Sequence, residues 1–197
     1  MLKVALTGGI ATGKSYVLSR LRERDVPCID ADDVVHELLG SGTQVTKAIA
    51  SEFGEAFLSP DGGIDRTRLG AKVFGDPGSR RRLEAILHPV VYATISRWYD
   101  ALERPMGVAS IPLLYETRRE ADFDFVAATV CPPEQQIERL ILRDGVSAEE
   151  ARQRMAAQMP AEDKAHRANF VIRTGGTTAA TDRQVDELLI ALHDLSV

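Results

Sequence analysis

Gly8-Gly9-Ile10-Ala11-Thr12-Gly13-Lys14-Ser15 follows directly on the apolar run Leu2, Val4, Ala5 and Leu6. The stretch has the spacing G-x-x-x-x-G-K-[ST]. It works where a buried strand ends and a helix begins, so that backbone N–H groups and the helix dipole converge on phosphate oxygens. Such a loop reads as the donor-phosphate site for a nucleoside triphosphate, ATP in the simplest case. Gly8 and Gly13 are expected to supply the backbone angles of a tight anion nest and to let the chain approach the phosphates without a Cβ in the way. Lys14 would reach the β and γ phosphates, and the Ser15 hydroxyl would ligate Mg²⁺. The candidates for nucleotide contact are therefore Gly8, Gly9, Ala11, Thr12, Gly13, Lys14, Ser15 and the residue that follows, Tyr16.

The chain has 197 residues, with 24 Lys+Arg against 29 Asp+Glu and a net charge of −5. That length suits one domain with insertions and a substantial core. The acidic balance lacks the dominant basic field of a protein that coats nucleic acid, so no nucleic-acid partner is expected. Cys28 and Cys131 are the only cysteines, and their spacing suits neither a zinc site nor a redox pair. They read as reduced core thiols of a cytosolic protein. No run of about 18 apolar residues occurs, and the first segment is a strand rather than a charged stretch leading into a long apolar one. The expectation is a cytoplasmic protein without membrane contact, a monomer or weak homo-oligomer.

Short apolar runs separated by helical patterns predict a parallel sheet covered on both faces. Strands are predicted near Leu2 to Thr7, Pro27 to Asp30, Gly107 to Leu113, Phe125 to Cys131 and Phe170 to Arg173. The interval from Asp32 to Arg104 is too long for one crossover helix and carries several glycines, so a helical insertion is expected there. Within it, Asp76-Pro77 has the pattern of an N-cap followed by a first-turn proline. Leu83, Ile86, Leu87, Val90, Thr94, Trp98 and Leu102 then trace a helical stripe that Pro89 should kink or split. Pro133 to Arg167 is helical, Arg-rich and apolar-poor in its middle, which suits a mobile lid. The prediction is a single α/β domain over 1–197, with a core of 1–31, 105–132 and 168–197. The helical insertion spans about 32–104 and the lid about 133–167.

Asp30-Ala31-Asp32-Asp33-Val34-Val35-His36 places three carboxylates at the C-terminal end of a sheet strand, the edge where open α/β sheets bind ligands. A phosphate-loop kinase needs a carboxylate there to orient an acceptor hydroxyl, take its proton late in transfer or hold a water of the Mg²⁺ shell. Asp32 and His36 stand four apart and share a helix face. Read structurally, Asp30 or Asp32 caps the helix and His36 is a surface residue.

The pairing of Leu6-Thr7-Gly8-Gly9-Ile10 and Gly13-Lys14-Ser15 with Asp30-Ala31-Asp32 and His36, then Leu87-His88-Pro89, then Pro112-Leu113-Leu114-Tyr115-Glu116, resembles the dephospho-CoA kinases. Gln136, Arg139-Leu140, Arg143-Asp144-Gly145, Ser147, Glu149-Glu150-Ala151, Arg154-Met155 and Gln158-Met159 continue the similarity in order and spacing, so it covers Val4 to about Gly175. The resemblance implies a three-layer P-loop nucleotide-kinase fold of about five parallel strands with an inserted helical substrate subdomain and a helical lid. It also implies ATP-dependent phosphorylation of the ribose 3′-hydroxyl of dephospho-CoA, the last step of coenzyme A synthesis. Asp32, Lys14 and Arg143 would be catalytic. Arg139 and Arg143, one helical turn apart, would close on the donor. Thr7, Asp30, Asp32, His36, His88, Leu114 and Glu116 would face the acceptor.

Two positions depart from the family's pattern. Tyr16 stands where a small Thr is usual, and Arg173-Thr174 replaces an Asn-containing segment associated with adenine contacts. A nucleoside or nucleotide monophosphate kinase shares the loop, core and lid, but the Asp-Ala-Asp-x-x-x-His and Pro-Leu-Leu-Tyr-Glu blocks favour the former reading. A GTP-dependent switch needs a DxxG-type γ-phosphate sensor and an [NT]-K-x-D guanine reader, and neither string occurs.

Overall fold

The run Leu2, Val4, Ala5 and Leu6 forms strand β1 (Leu2–Gly8), in which Val4, Ala5 and Leu6 are completely buried. The computed structural model describes residues 1–195. Beyond β1 the chain forms α1 (Lys14–Arg22), β2 (Cys28–Asp30), α2 (Ala31–Leu38), α3 (Gln44–Phe53), α4 (Arg66–Phe74) and α5 (Pro77–Asp100). There follow β3 (Met106–Ser110), β4 (Phe125–Val130), α6 (Pro133–Asp144), α7 (Ala148–Ala156), α8 (Ala161–Arg167), β5 (Phe170–Arg173) and α9 (Thr178–Asp194). Two compact units result, one made of Met1–Ile29 with the chain from Leu102 onward, the other of Asp30–Ala101. Among the described residues no helix is long and apolar enough to cross a membrane.

The first unit is built on a sheet of order β2-β3-β1-β4-β5. β1 pairs in parallel with both β3 and β4, and β4 with β5. The central strands are mostly apolar, as suits strands covered on both faces. Val4, Leu6, Val108, Ala127 and Ile172 pack with Val17, Leu18 and Leu21 of α1 and Val185, Leu188 and Leu192 of α9. Alternation along β4 sends Ala128 and Val130 the other way, against Ala161 and Ala165 of α8. β5 lies at the edge and is half wet, with Val171 and Arg173 exposed and Ile172 buried.

The third strand stops at Ser110, short of the predicted Leu113. Pro112 has no N–H to give a ladder, and the segment after it turns on itself, with Thr117 N–H donating to Leu113 O at 3.0 Å.

The second unit has its own core of Val45, Ile49, Ile64 and Leu69, onto which Leu83, Ile86, Leu87 and Val90 of α5 pack. Asp76 caps α5 through Gly78 N–H at 2.8 Å, and Pro77 occupies the first turn as the sequence predicts. Pro89 does not split the helix, which runs unbroken from Pro77 to Asp100. In its second half the buried set is Val91, Ile95 and Tyr99 rather than Thr94 and Trp98, one position on from the predicted stripe. Leu102 lies beyond the helix end.

Candidate active site

The strand-to-helix turn after β1 leaves the start of α1 without a side-chain cap: Gly13 is the N-cap and has no side chain to bond the orphan N–H groups, and no acidic residue stands in the first turn. A bound anion is the natural partner for such a helix end. Gly13 has φ +82°, as a nest requires, and the second left-handed residue is Ala11 at φ +59° rather than Gly8. Gly8 is needed for space instead. A Cβ there would lie 2.2 Å from Thr129 Oγ1 and 2.6 Å from Thr12 Oγ1. Lys14 is half-buried and Ser15 exposed at the head of α1.

Buried threonines hold the loop from below. Thr12 Oγ1 and Thr129 Oγ1 share a hydrogen bond at 2.7 Å, and Thr12 Oγ1 also reaches Gly9 O at 2.8 Å. Thr174, at the end of β5, donates to Thr12 O at 2.6 Å. Arg139 donates to Ala11 O at 3.2 Å and to Thr174 O at 2.7 Å, so in this conformation its guanidinium braces the loop's carbonyl side. Gln136 Nε2 donates to Ile10 O at 2.6 Å, while Ile10 N–H donates to Gln158 Oε1 at 3.0 Å. Thr129, Thr174, Gln136 and Gln158 were not singled out by sequence reasoning as site residues. Gln136 and Gln158 do stand in the family pattern quoted above, and the signal for Thr129 is a polar residue inside the buried run of β4.

Thr7 and Leu114 are completely buried. Thr7 Oγ1 donates to Pro112 O at 3.3 Å, and Leu114 has no exposed side-chain surface to offer a ligand, so packing replaces the expected substrate contact. Glu116 accepts the Met159 N–H at 2.9 Å and pairs with Lys164 at 2.8 Å. Lys164 is fully buried, and desolvation pushes its ammonium pKa down against the opposing pull of Glu116, with Lys14 adding to the depression.

Arg143 is exposed on α6 and forks onto Asp144 at 2.7 and 3.0 Å. That bond holds the arginine's pKa up and the carboxyl's down. Tyr16 donates its hydroxyl to Asp182 of α9 at 2.8 Å, which raises the phenol pKa, and Arg20 lies 5.7 Å from the ring centre. The ring is thus engaged in the α1–α9 contact. Beside the loop, at the carboxyl ends of β4 and β5, a cavity of about 310 Å³ is lined by Cys131, Pro132, Glu162, Arg173, Gly175 and Gly176.

In the second unit Asp30 is the N-cap of α2, accepting the Asp32 N–H at 3.0 Å. Asp32 and His36 are exposed on α2, and His36 Nδ1 contacts Arg66. His88 is half-buried on α5.

A family model described as dephospho-CoA kinase matches residues 2–180. The chain belongs to the dephospho-CoA kinase family, and it is a phosphotransferase on the P-loop kinase fold. A dephospho-CoA kinase from Anaeromyxobacter dehalogenans is 44% identical over 98% of this chain and 93% of its own length. One from Symbiobacterium thermophilum is 46% identical over 93% of this chain and 78% of its own. The solved dephospho-CoA kinase from Campylobacter jejuni superposes with a TM-score of 0.74 at 25% identity, covering 99% of this chain and 98% of that one.

Proposed function

We propose that the protein transfers the γ-phosphoryl group of ATP to the ribose 3′-hydroxyl of dephospho-CoA, completing coenzyme A. The observation that carries this reading is the N-terminus of α1, without a side-chain cap behind a left-handed Gly13, in a chain of this family. Lys14 neutralises charge on the β and γ phosphates, and the backbone amides of the loop hold them in line. The donor set suits magnesium brought in by the nucleotide: Ser15 is exposed at the head of α1, and no group of three or more acidic, His or Cys side chains forms a protein cage among the described residues. The ion would be held by the Ser15 hydroxyl, and it would supply charge neutralisation between the phosphates. The cavity beside Gly175 takes the base.

Asp32 orients the acceptor hydroxyl and receives its proton late in transfer, with Asp30 fixing the start of its helix. The loose transition state of phosphoryl transfer asks for little early proton removal, so orientation is the larger part of that role. His36 and His88 contribute acceptor contacts within a helical dephospho-CoA subdomain over about 32–104. Arg143 leaves Asp144 and turns its guanidinium to the transferring phosphoryl as a lid over about 133–167 closes. The enzyme works in the cytoplasm as a monomer or weak homo-oligomer.

Purified protein offered ATP, Mg²⁺ and dephospho-CoA should release ADP, and a parallel panel of nucleoside monophosphates should not. Turnover with a monophosphate and none with dephospho-CoA would replace this reading by that of a monophosphate kinase. Asp32→Asn should fold, bind ATP and lose at least about 10²-fold in transfer, the scale of a positioned acid-base group. Near-normal activity would move that role to Asp30.

A further inference from the structure

Lys164 is a lysine without exposed surface in a family of contacts that all lead to the phosphate loop. Its Nζ donates to Pro112 O at 2.6 Å and to Glu116 at 2.8 Å. Thr7, the residue before Gly8, also donates to Pro112 O, at 3.3 Å. Glu116 in turn accepts the N–H of Met159. The neighbour of Met159 is Gln158, whose Oε1 takes the Ile10 N–H at the tip of the loop. Between Gln158 and Lys164 the chain passes through Pro160, which stiffens the connection, and into α8, which is packed on β4 through Ala161 and Ala165. The segment from Gln158 to Lys164 is therefore pinned at one end by a charge pair whose ammonium is buried and at the other by the loop itself. A buried ammonium is costly to desolvate, and packing alone would be served by a methionine.

We propose that Lys164 is a positioning residue for the donor nucleotide: with Glu116 it forms a brace that seats Gln158 on Ile10 and so presets the phosphate loop. The inference rests on the reading that the loop holds the donor. With Ile10 N–H engaged by Gln158 and Thr12 N–H by Gly9 O at 3.3 Å, the anion nest is left to the amides of Ala11 and of Gly13 onward, and their aim depends on where Ile10 is held. Without the brace the loop has to be ordered by the nucleotide at each binding event, which lowers donor affinity and leaves acceptor affinity untouched.

The test uses the full chain, with Mg²⁺·ADP and dephospho-CoA titrated separately by calorimetry and thermal melting followed in parallel. Gln158→Ala removes only the contact at the loop. Lys164→Met combined with Glu116→Leu removes the buried ammonium together with its partner, so that neither charge is left unpaired. Each should raise the dissociation constant for ADP about tenfold, the worth of one to two hydrogen bonds, and Gln158→Ala should leave dephospho-CoA affinity unchanged. Adding Gln158→Ala to the apolar pair should weaken ADP no further, because both act through Ile10. Unchanged ADP affinity in the folded apolar-pair variant would overturn the brace, as would effects that multiply to about a hundredfold. Should the apolar pair fail to fold, Gln158→Ala decides alone, since normal ADP binding by it removes the link to the loop. Failure of the unmodified chain to bind ADP would instead overturn the donor reading and the brace with it.

Discussion

A Cβ on Gly8 would stand 2.9 Å from the Thr129 carbonyl oxygen as well as against its hydroxyl, and backbone cannot give way as a flexible side chain does. Gly8→Ala should therefore cost about 1–3 kcal/mol, the range for overpacking, read as a lower urea midpoint at unchanged slope. Gly70 is the opposite case. It is exposed within α4, with nothing within 4 Å of its ideal Cβ, so Gly70→Ala should raise stability by about 0.5–1 kcal/mol in the same measurement. Cys28 is half-buried and Cys131 buried. Burial pushes the Cys28 thiol up to about 12 and raises that of Cys131 as well. At pH 8 the thiolate fraction of Cys28 is then roughly 10⁻⁴. A disulfide exchange reagent should label native protein slowly and denatured protein at once; rapid labelling of Cys28 at pH 8 in native protein would contradict the burial argument.

At the scale of elements, α6 and α7 meet at Gly145, which ends α6 in the left-handed region at φ +66°. Ser147 then starts α7 with a reciprocal box: its Oγ accepts the Glu150 N–H, and the Glu150 carboxylate accepts the Ser147 N–H at 2.9 Å. Ser147→Ala should cost about 1 kcal/mol, felt as faster amide exchange confined to the first turns of α7. Asp144 ties the junction by bonding Arg143 and pairing with Arg154 at 2.8 Å. Those contacts hold its carboxyl below the ordinary 3.8, so the unfolded chain binds more protons in that range. The support is complete above the ordinary value and lost as pH falls through the depressed one, so exchange at the α6–α7 junction should rise below about pH 4. The strands and the phosphate loop were legible because their signals are local: period, apolar runs and a fixed glycine spacing. The polar clamps were not, because their partners are remote. Gln158 and Ile10 lie 148 residues apart, and nothing near Gln158 announces Ile10. The same holds for Lys164, whose neighbours Ala161 and Ala165 mark a packed face without revealing that a charge lies inside it.

At the scale of the molecule, each of the two units has an apolar cluster of its own. Val4, Leu6, Val17 and Leu188 belong to one, Val45, Ile49, Ile64 and Leu69 to the other. The proposed chemistry divides in the same way, with the donor's loop in the first unit and Asp32 and His88 in the second. A ligand that binds one unit stabilises that unit by mass action, about 2.7 kcal/mol at a hundredfold excess over its dissociation constant. Separate cores limit how far that gain spreads, since local opening is governed by the contacts each segment makes. Amide exchange with Mg²⁺·ADP alone should therefore slow at Gly8 to Tyr16 and around Gly175, while α3 and α4 exchange as in the free protein. Dephospho-CoA alone should give the complementary pattern, with protection in α2 and α5. Equal protection of both units by ADP alone would mean that the two cores open as one cooperative body, and the division of donor and acceptor between them would then have no energetic counterpart.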